Sequence, residues 1–293
     1  MNRFYGTGVA IITPFQADGQ VDYEALGKLI NYLIDGGVEY IVSLGTTGES
    51  ATLSSDERKQ IWKYTSKAVN GRVGLVAGLG GNNTLELVEQ IKAFDATGYD
   101  AILSASPHYN KPTQEGIYQH YKAIAAVTPL PIILYNVPSR TGSNISAETT
   151  VRLAKDFKNI IGIKEASGNF DQLNQIARDK PEDFLLISGD DPISLPMIAL
   201  GGVGVISVVG NALPRQMSDM IRTGLAGDFK SALKPHLDLI DFTRLMFVEG
   251  SPAGVKTALK HLGICGDTLR LPLVQVSENI AAKIIAETKR ITQ

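Results

Sequence analysis

A lysine closes the run Asn159-Ile160-Ile161-Gly162-Ile163-Lys164-Glu165. β-Branched apolar residues in such a run build a buried strand. The segment therefore puts an amine where an aliphatic side chain would normally finish the strand. Burial disfavours the charged form of a lysine, and a neutral amine forms Schiff bases with carbonyl substrates. An ordinary lysine, pKa ~10.4, is neutral to only roughly 0.04% at pH 7. Bringing a catalytic lysine down to ~7–8 raises that fraction by two to three orders of magnitude. The same segment also fits a lysine just past a strand end with its ammonium in water. The neighbouring motifs decide between the two.

Those motifs carry hydroxyls, a phenol and a guanidinium. Gly45-Thr46-Thr47-Gly48-Glu49-Ser50 offers hydroxyls and backbone N–H groups in a glycine-permitted turn, which suits a carboxylate. It also reads as a tight turn with a polar cap. No lysine follows its glycines as a phosphate loop requires. Gly78-Leu79-Gly80-Gly81-Asn82-Asn83 lacks the third glycine of a dinucleotide fingerprint. Ser106-Pro107-His108-Tyr109-Asn110-Lys111-Pro112 is a loop restrained by two prolines that holds out a phenol. In Tyr135-Asn136-Val137-Pro138-Ser139-Arg140-Thr141-Gly142, Tyr135 ends a strand and offers a proton carrier, and Arg140 a fork for a carboxylate. Ser188-Gly189-Asp190-Asp191 pairs two carboxylates; Asp191, directly before Pro192, reads as the cap of the next helix rather than as a metal ligand. The four histidines show no ligand spacing, so no metal and no cofactor are expected. A lysine nucleophile with a tyrosine relay and groups for carboxylates describes an aldolase-type site for an α-keto acid.

Such a set needs elements that converge on one point. Strand patterns at 8–12, 40–44, 73–77, 101–104, 131–135, 160–164, 184–188 and 204–208 alternate with helical patterns at 22–35, 54–69, 83–97, 114–127, 146–156, 171–178 and 191–200. In the first helix Leu26, Leu29, Ile30, Leu33 and Ile34 follow a 3.6-residue period, and Ser54 with Glu57 makes a capping box for the second. This alternation predicts an α/β fold, a (β/α)8 TIM barrel over residues 1–225. Helical patterns alone follow, at 214–226, 228–248, 253–262 and 273–291, giving a C-terminal helical region over 226–293 with no flexible linker before it. Catalytic groups belong at the C-terminal ends of barrel strands, where every motif above lies.

Composition excludes several classes. The 293 residues are 44% hydrophobic and 20% charged, with net charge −2, so no nucleic-acid or anionic membrane partner is expected. No apolar stretch reaches ~18 residues. The lone Cys265 rules out an internal disulfide and, with no leader pattern in residues 1–15, points to the cytoplasm.

Gly45-Thr46-Thr47-Gly48-Glu49, Tyr135 to Gly142 and Gly162-Ile163-Lys164-Glu165 together resemble the pyruvate-dependent aldolase superfamily, and within it the dihydrodipicolinate synthases. The likeness runs over residues 6–262. It implies condensation of pyruvate with L-aspartate 4-semialdehyde, the first committed step toward lysine and diaminopimelate. By the same resemblance Lys164 forms the Schiff base, and Tyr135, Thr46 and Tyr109 relay protons, Tyr109 reaching into a neighbouring subunit. Thr47 holds the pyruvate carboxylate, and Arg140 the carboxylate of the semialdehyde. The carbonyl oxygens of Gly189 and Ile206 line the site. The implied assembly is a homotetramer, a dimer of dimers. Lysine-inhibited members bind lysine at positions that correspond here to Ser50, Ala51, Ser55, Arg58, Asn82, Glu86 and His108. Ser55, Arg58 and His108 depart from the sensitive pattern, which has two histidines and a tyrosine there, so weak or absent inhibition by lysine is expected. Gly250-Ser251-Pro252-Ala253-Gly254-Val255-Lys256 departs from the Asn-Pro-Ile-Pro-Val-Lys of many members. The competing readings are a sibling aldolase, such as N-acetylneuraminate lyase or a 2-keto-3-deoxy-sugar-acid aldolase, and a barrel that binds without catalysis. Arg140 and the double threonine favour the synthase, and the intact lysine and tyrosine disfavour the silent barrel.

Overall fold

Eight short strands close on themselves: β1 Gly6–Ala10, β2 Tyr40–Ser43, β3 Gly74–Gly78, β4 Ala101–Ala105, β5 Ile132–Asn136, β6 Ile160–Glu165, β7 Leu185–Ser188 and β8 Gly204–Ser207. All neighbours are parallel, and β8 returns to β1 with Gly6 opposite Gly204. The computed structural model describes residues 2–293; Met1, the first residue of the predicted barrel span, lies outside them.

Strand alternation divides the apolar residues into two cores. One face fills the barrel with Ala10, Tyr40, Val42, Val76, Leu103, Ile133, Tyr135, Leu185, Ile187 and Ile206. The other face packs under the helices with Val9, Ile41, Leu75, Ile102, Leu134, Ile163, Leu186 and Val205. Full burial of a side chain of this size contributes roughly 1.5–3 kcal/mol. The barrel interior has no spare room. A Cβ on Gly8 would stand 2.2 Å from the ring of Tyr40, so the tyrosine fits only against a bare backbone.

The helices are α1 Tyr23–Asp35, α2 Ser55–Val69, α3 Thr84–Lys92, α4 Gln114–Ala125, α5 Pro138–Thr141, α6 Ala147–Asp156, α7 Phe170–Asp179, α8 Ser194–Ala199 and α9 Pro214–Leu225, then α10 Phe229–Asp238, α11 Ile240–Leu245, α12 Ala253–His261 and α13 Glu278–Thr292. The capping box at Ser54 forms in both directions, at 3.2 and 2.8 Å. Among the described residues, no helix is long and apolar enough to cross a membrane.

Most elements differ from the sequence patterns by a residue or more at one end, and four differences are worth tracing. Strand β1 starts and ends two residues early, because Ile12 turns out of the ladder and gives its N–H to Asn211 Oδ1 at 3.1 Å. Helix α3 stops at Lys92 rather than 97: the Asp95 carboxylate takes the Thr97 N–H at 3.0 Å and makes a turn instead. The single helix expected over 228–248 is two, α10 and α11, which divide at Leu239; Pro235 lies inside α10, one turn before the break. The last helix begins at Glu278, capped by Ser277, whose own N–H and hydroxyl are held by Glu249.

Candidate active site

Tyr135 and Lys164 are the penultimate residues of adjacent strands, in register, and the last residues, Asn136 and Glu165, stand opposite each other. Alternation sends the first pair into the barrel mouth and the second pair outward, beneath the helices. The outward pair anchors the inward one. Glu165 is fully buried without a cation. Its oxygens accept Asn136 Nδ2 at 2.9 Å, Gln172 Nε2 at 2.8 Å and the Ser167 N–H at 2.6 Å. Asn136 Oδ1 accepts the Ile145 N–H, and its amide donates to Asn144. A fully bonded buried network of this kind fixes two strand ends against each other. Sequence reading passed over these residues; the polar Asn136 and Glu165, one step beyond each inward residue at a strand end, were the available signal.

Lys164 Nζ lies 4.3 Å from the centroid of the Tyr135 ring. Lys164 is 4% exposed and Tyr135 6%. The π-face favours a cation above it, yet among the described residues no carboxylate forms an ion pair with this amine. Asp190 and Asp191 are near enough to feel its charge. Burial pushes both carboxyls up from the ordinary carboxylate range, and Lys164 draws them partly back down.

These groups border a cavity of about 200 Å³ lined by Thr46, Thr47, Tyr135, Arg140, Lys164 and Gly189, with Val137, Ser139, Ala166, Asp190, Val208 and Phe247. Six residues named from the sequence thus come together. Thr46 and Thr47 sit in a 3-10 turn, Thr46–Gly48, that ends on Glu49 in a left-handed conformation, φ 53°. Arg140 stands on the four-residue α5, which opens with Pro138 and closes on left-handed Gly142. Gly189 must be bare: a Cβ there would lie 3.0 Å from Cγ and Cε of Lys164 and 2.7 Å from Ala166. Phe247, from the segment after α11, was invisible to a search of strand ends. It and Asp190 also border a larger groove of about 840 Å³ walled by α11 and α13.

Tyr109 and Ile206 are not among the residues that border this cavity. Ile206 is buried inside the barrel, and Val208 takes the place at the cavity wall. Tyr109 is 86% exposed at φ 70°, its side chain away from its own cavity. Asp191 does not cap the helix that follows it. Its Oδ2 accepts the N–H groups of Val208 and Val209 at 3.1 Å each, and so ties the loop after β7 to the loop after β8. Among the described residues no three His, Cys, Asp or Glu side chains gather as a metal site would need.

The seven residues that the resemblance points to as an effector site are partly or fully exposed, on the turn Ser50–Thr52, the first turns of α2 and α3, and the loops at Asn82 and His108. Asn82 Nδ2 donates to the His108 carbonyl at 3.1 Å. Arg58 donates to Ser55 Oγ at 3.2 Å, and Glu86 accepts from Gln90 at 3.2 Å, so the guanidinium and this carboxylate are not paired.

An enclosed amine, a phenol beside it, two hydroxyls and a guanidinium are the parts for imine formation on a keto acid. Known proteins agree in both sequence and shape. The model of the dihydrodipicolinate synthetase family matches residues 3–291. The 4-hydroxy-tetrahydrodipicolinate synthase of Flavobacterium psychrophilum is 52% identical over 293 residues, all of both chains. The crystal structure of dihydrodipicolinate synthase from Aquifex aeolicus superposes with a TM-score of 0.95 at 43% identity, covering 99% of this chain and 98% of that one. A lysine-bound structure of the enzyme from Cyanidioschyzon merolae gives 0.94 at 38% identity, over 98% of both chains. The chain belongs to the dihydrodipicolinate synthetase family.

Proposed function

We propose that this chain condenses pyruvate with L-aspartate 4-semialdehyde to give 4-hydroxy-tetrahydrodipicolinate. The observation that carries the reading is the unpaired amine of Lys164 over the Tyr135 ring in a cavity that also holds Thr46, Thr47 and Arg140. The relatives' names specify the product.

The chemistry follows from the groups present. Lys164 Nζ adds to C2 of pyruvate, and the carbinolamine loses water to leave an imine. A proton leaves C3, giving an enamine that attacks the aldehyde carbon of the second substrate. Tyr135 and Thr46 carry these protons between the reacting atoms and water. The product's own amine then attacks the imine carbon, closing the ring and releasing Lys164. Thr47 and its N–H hold the pyruvate carboxylate. Arg140, exposed at the rim, receives the carboxylate of the incoming semialdehyde. The test is a condensation assay with both substrates, run beside cleavage assays for N-acetylneuraminate and 2-keto-3-deoxy-sugar acids. Cleavage without condensation would assign the chain to a sibling activity.

Arg140→Ala should raise KM for the semialdehyde far more than for pyruvate. A hydrogen bond to a charged group contributes ~1.5–3 kcal/mol, so a change of roughly 10–150-fold is at stake. Equal changes in the two KM values would remove the arginine from this role.

The same reading makes the working particle a homotetramer in which Tyr109 completes a neighbour's relay. Its support is the exposed phenol, held outward by a left-handed backbone that a tyrosine seldom adopts. Lysine should inhibit weakly. Its ammonium would approach Glu86 with Arg58 on the neighbouring helix, and like charges ~4 Å apart repel by ~1 kcal/mol in water and ~4 kcal/mol at an effective dielectric of ~20. Sedimentation velocity sizes the particle, and an L-lysine titration near the KM for pyruvate reads the site on it. We expect a tetramer without half-inhibition below about 0.5 mM, a binding free energy of roughly −4.5 kcal/mol. Tighter inhibition would show that Arg58 and His108 are tolerated; a stable monomer with full activity would sink the role of Tyr109.

A further inference from the structure

The turn that carries Thr46 and Thr47 has no regular strand or helix to hold it. It is two successive 3-10 turns, Thr46–Gly48 and Ser50–Thr52, joined at Glu49. Glu49 serves both, in a left-handed conformation that disfavours side chains. Its carboxylate points away from the cavity and is fully buried.

Every polar group around that carboxylate comes from distant parts of the chain. Oε1 accepts Lys256 Nζ at 2.5 Å, with both side chains at zero exposure. Oε2 accepts the Arg270 N–H at 3.3 Å. Lys256 also donates to the Thr268 carbonyl at 2.8 Å and lies 4.3 Å from the Phe15 ring centroid. Arg270 faces the same ring at 4.5 Å; it reaches the Thr52 carbonyl, at the far end of the turn, at 2.9 Å and binds Glu57 on α2. Thr13 donates to the Gly48 carbonyl at 2.7 Å. Burial pushes the Lys256 ammonium's pKa down, and Glu49 opposes that. None of Glu49, Lys256 or Arg270 borders the cavity.

We propose that Glu49 and Lys256 are positioning residues for the reaction: their buried ion pair, braced by Arg270, sets where the hydroxyls of Thr46 and Thr47 stand relative to Lys164 and Tyr135. The proposal rests on the function given above. A buried pair lends little net stability against an apolar substitute; the contribution proposed for this one is geometry. The catalytic turn is thereby referenced to α12 and to the segment after it, not only to the barrel strand that leads into it.

The test uses Glu49→Gln, which keeps the volume and one acceptor but removes the charge. A purely structural pair would lower the melting temperature and leave kcat/KM per folded site unchanged. Positioning predicts a fall in kcat/KM for pyruvate of at least about tenfold per folded site, because a displacement near 1 Å can cost ~10²-fold. Folded sites are counted by calorimetry. It also predicts non-additivity with Thr46→Val. Once the Thr46 hydroxyl is gone, Glu49→Gln should cost under about threefold more, since much of what the pair positions is missing. Activity of Glu49→Gln within twofold of wild type, or losses that multiply independently, would overturn the proposal. If Glu49→Gln does not fold, Lys256→Arg, which keeps the charge but not the reach, carries the same comparison. Wild-type condensation run alongside separates the two ideas. Its absence would remove the assigned function and this role with it, whereas an active wild type with an unaffected variant would remove the positioning role alone.

Discussion

Lys164→Ala should abolish borohydride trapping of pyruvate and lower kcat by at least ~10³-fold while the chain stays folded, since removing an enzyme's covalent nucleophile can cost ~10⁶-fold. Wild type should gain one adduct per chain, mapped by mass spectrometry to Lys164. The structure has a second deeply buried lysine, and comparing the two makes the assignment sharp. Lys256 is more enclosed than Lys164, but its amine is held by Glu49 and by the Thr268 carbonyl and borders no cavity. Burial alone therefore does not make a nucleophile. Lys164 is enclosed, unpaired among the described residues, and open on one side to a space the size of a small substrate. The variant should fold because the alanine leaves a gap against an existing cavity, not inside a closed core. An adduct at any other lysine, or an alanine variant that still traps pyruvate, would discard the mechanism.

Tyr135→Phe should lower kcat by ~10²–10⁴-fold, the usual contribution of a general acid–base group, with a modest change in KM for pyruvate. The substitution keeps the ring that faces Lys164 and removes only the hydroxyl. Schiff-base trapping should slow yet still go to completion, because the amine is untouched. Activity within about twofold of wild type would remove the phenol from the proton path. A large rise in KM with kcat unchanged would instead make the hydroxyl a binding group.

The barrel was legible in the sequence because its signals are local. Each strand is a short apolar run between turn residues, and the candidate site residues Tyr135 and Lys164 stand near the ends of two of them. Parts of the site that depend on tertiary contacts were not. Phe247 reaches the cavity from a segment with no strand pattern, and Glu165 reads as a surface charge until the chain folds over it. The cap expected at Asp191 failed for the same reason: its carboxylate finds N–H groups on the next loop, which sequence distance hides. The end of α3 was set by one aspartate turn, a weaker signal than the apolar periodicity that ran through it.

The ion pair between Glu49 and Lys256 joins residues 207 positions apart. At a synthesis rate of ~5–20 residues per second, the second partner is made roughly 10–40 s after the first. In that interval the growing chain acquires Tyr135 and Lys164, and the six strands from β3 to β8 that complete the barrel. The threonine turn waits for this anchor. A nascent chain can thus close much of its barrel and already hold Lys164, while the threonine turn, bonded to Thr13 at Gly48, still lacks its buried ion pair. If the pair positions the turn as proposed, competence arrives with the last stretch of translation, and a chain cut short before Lys256 would be a barrel in outline with its threonine turn out of place.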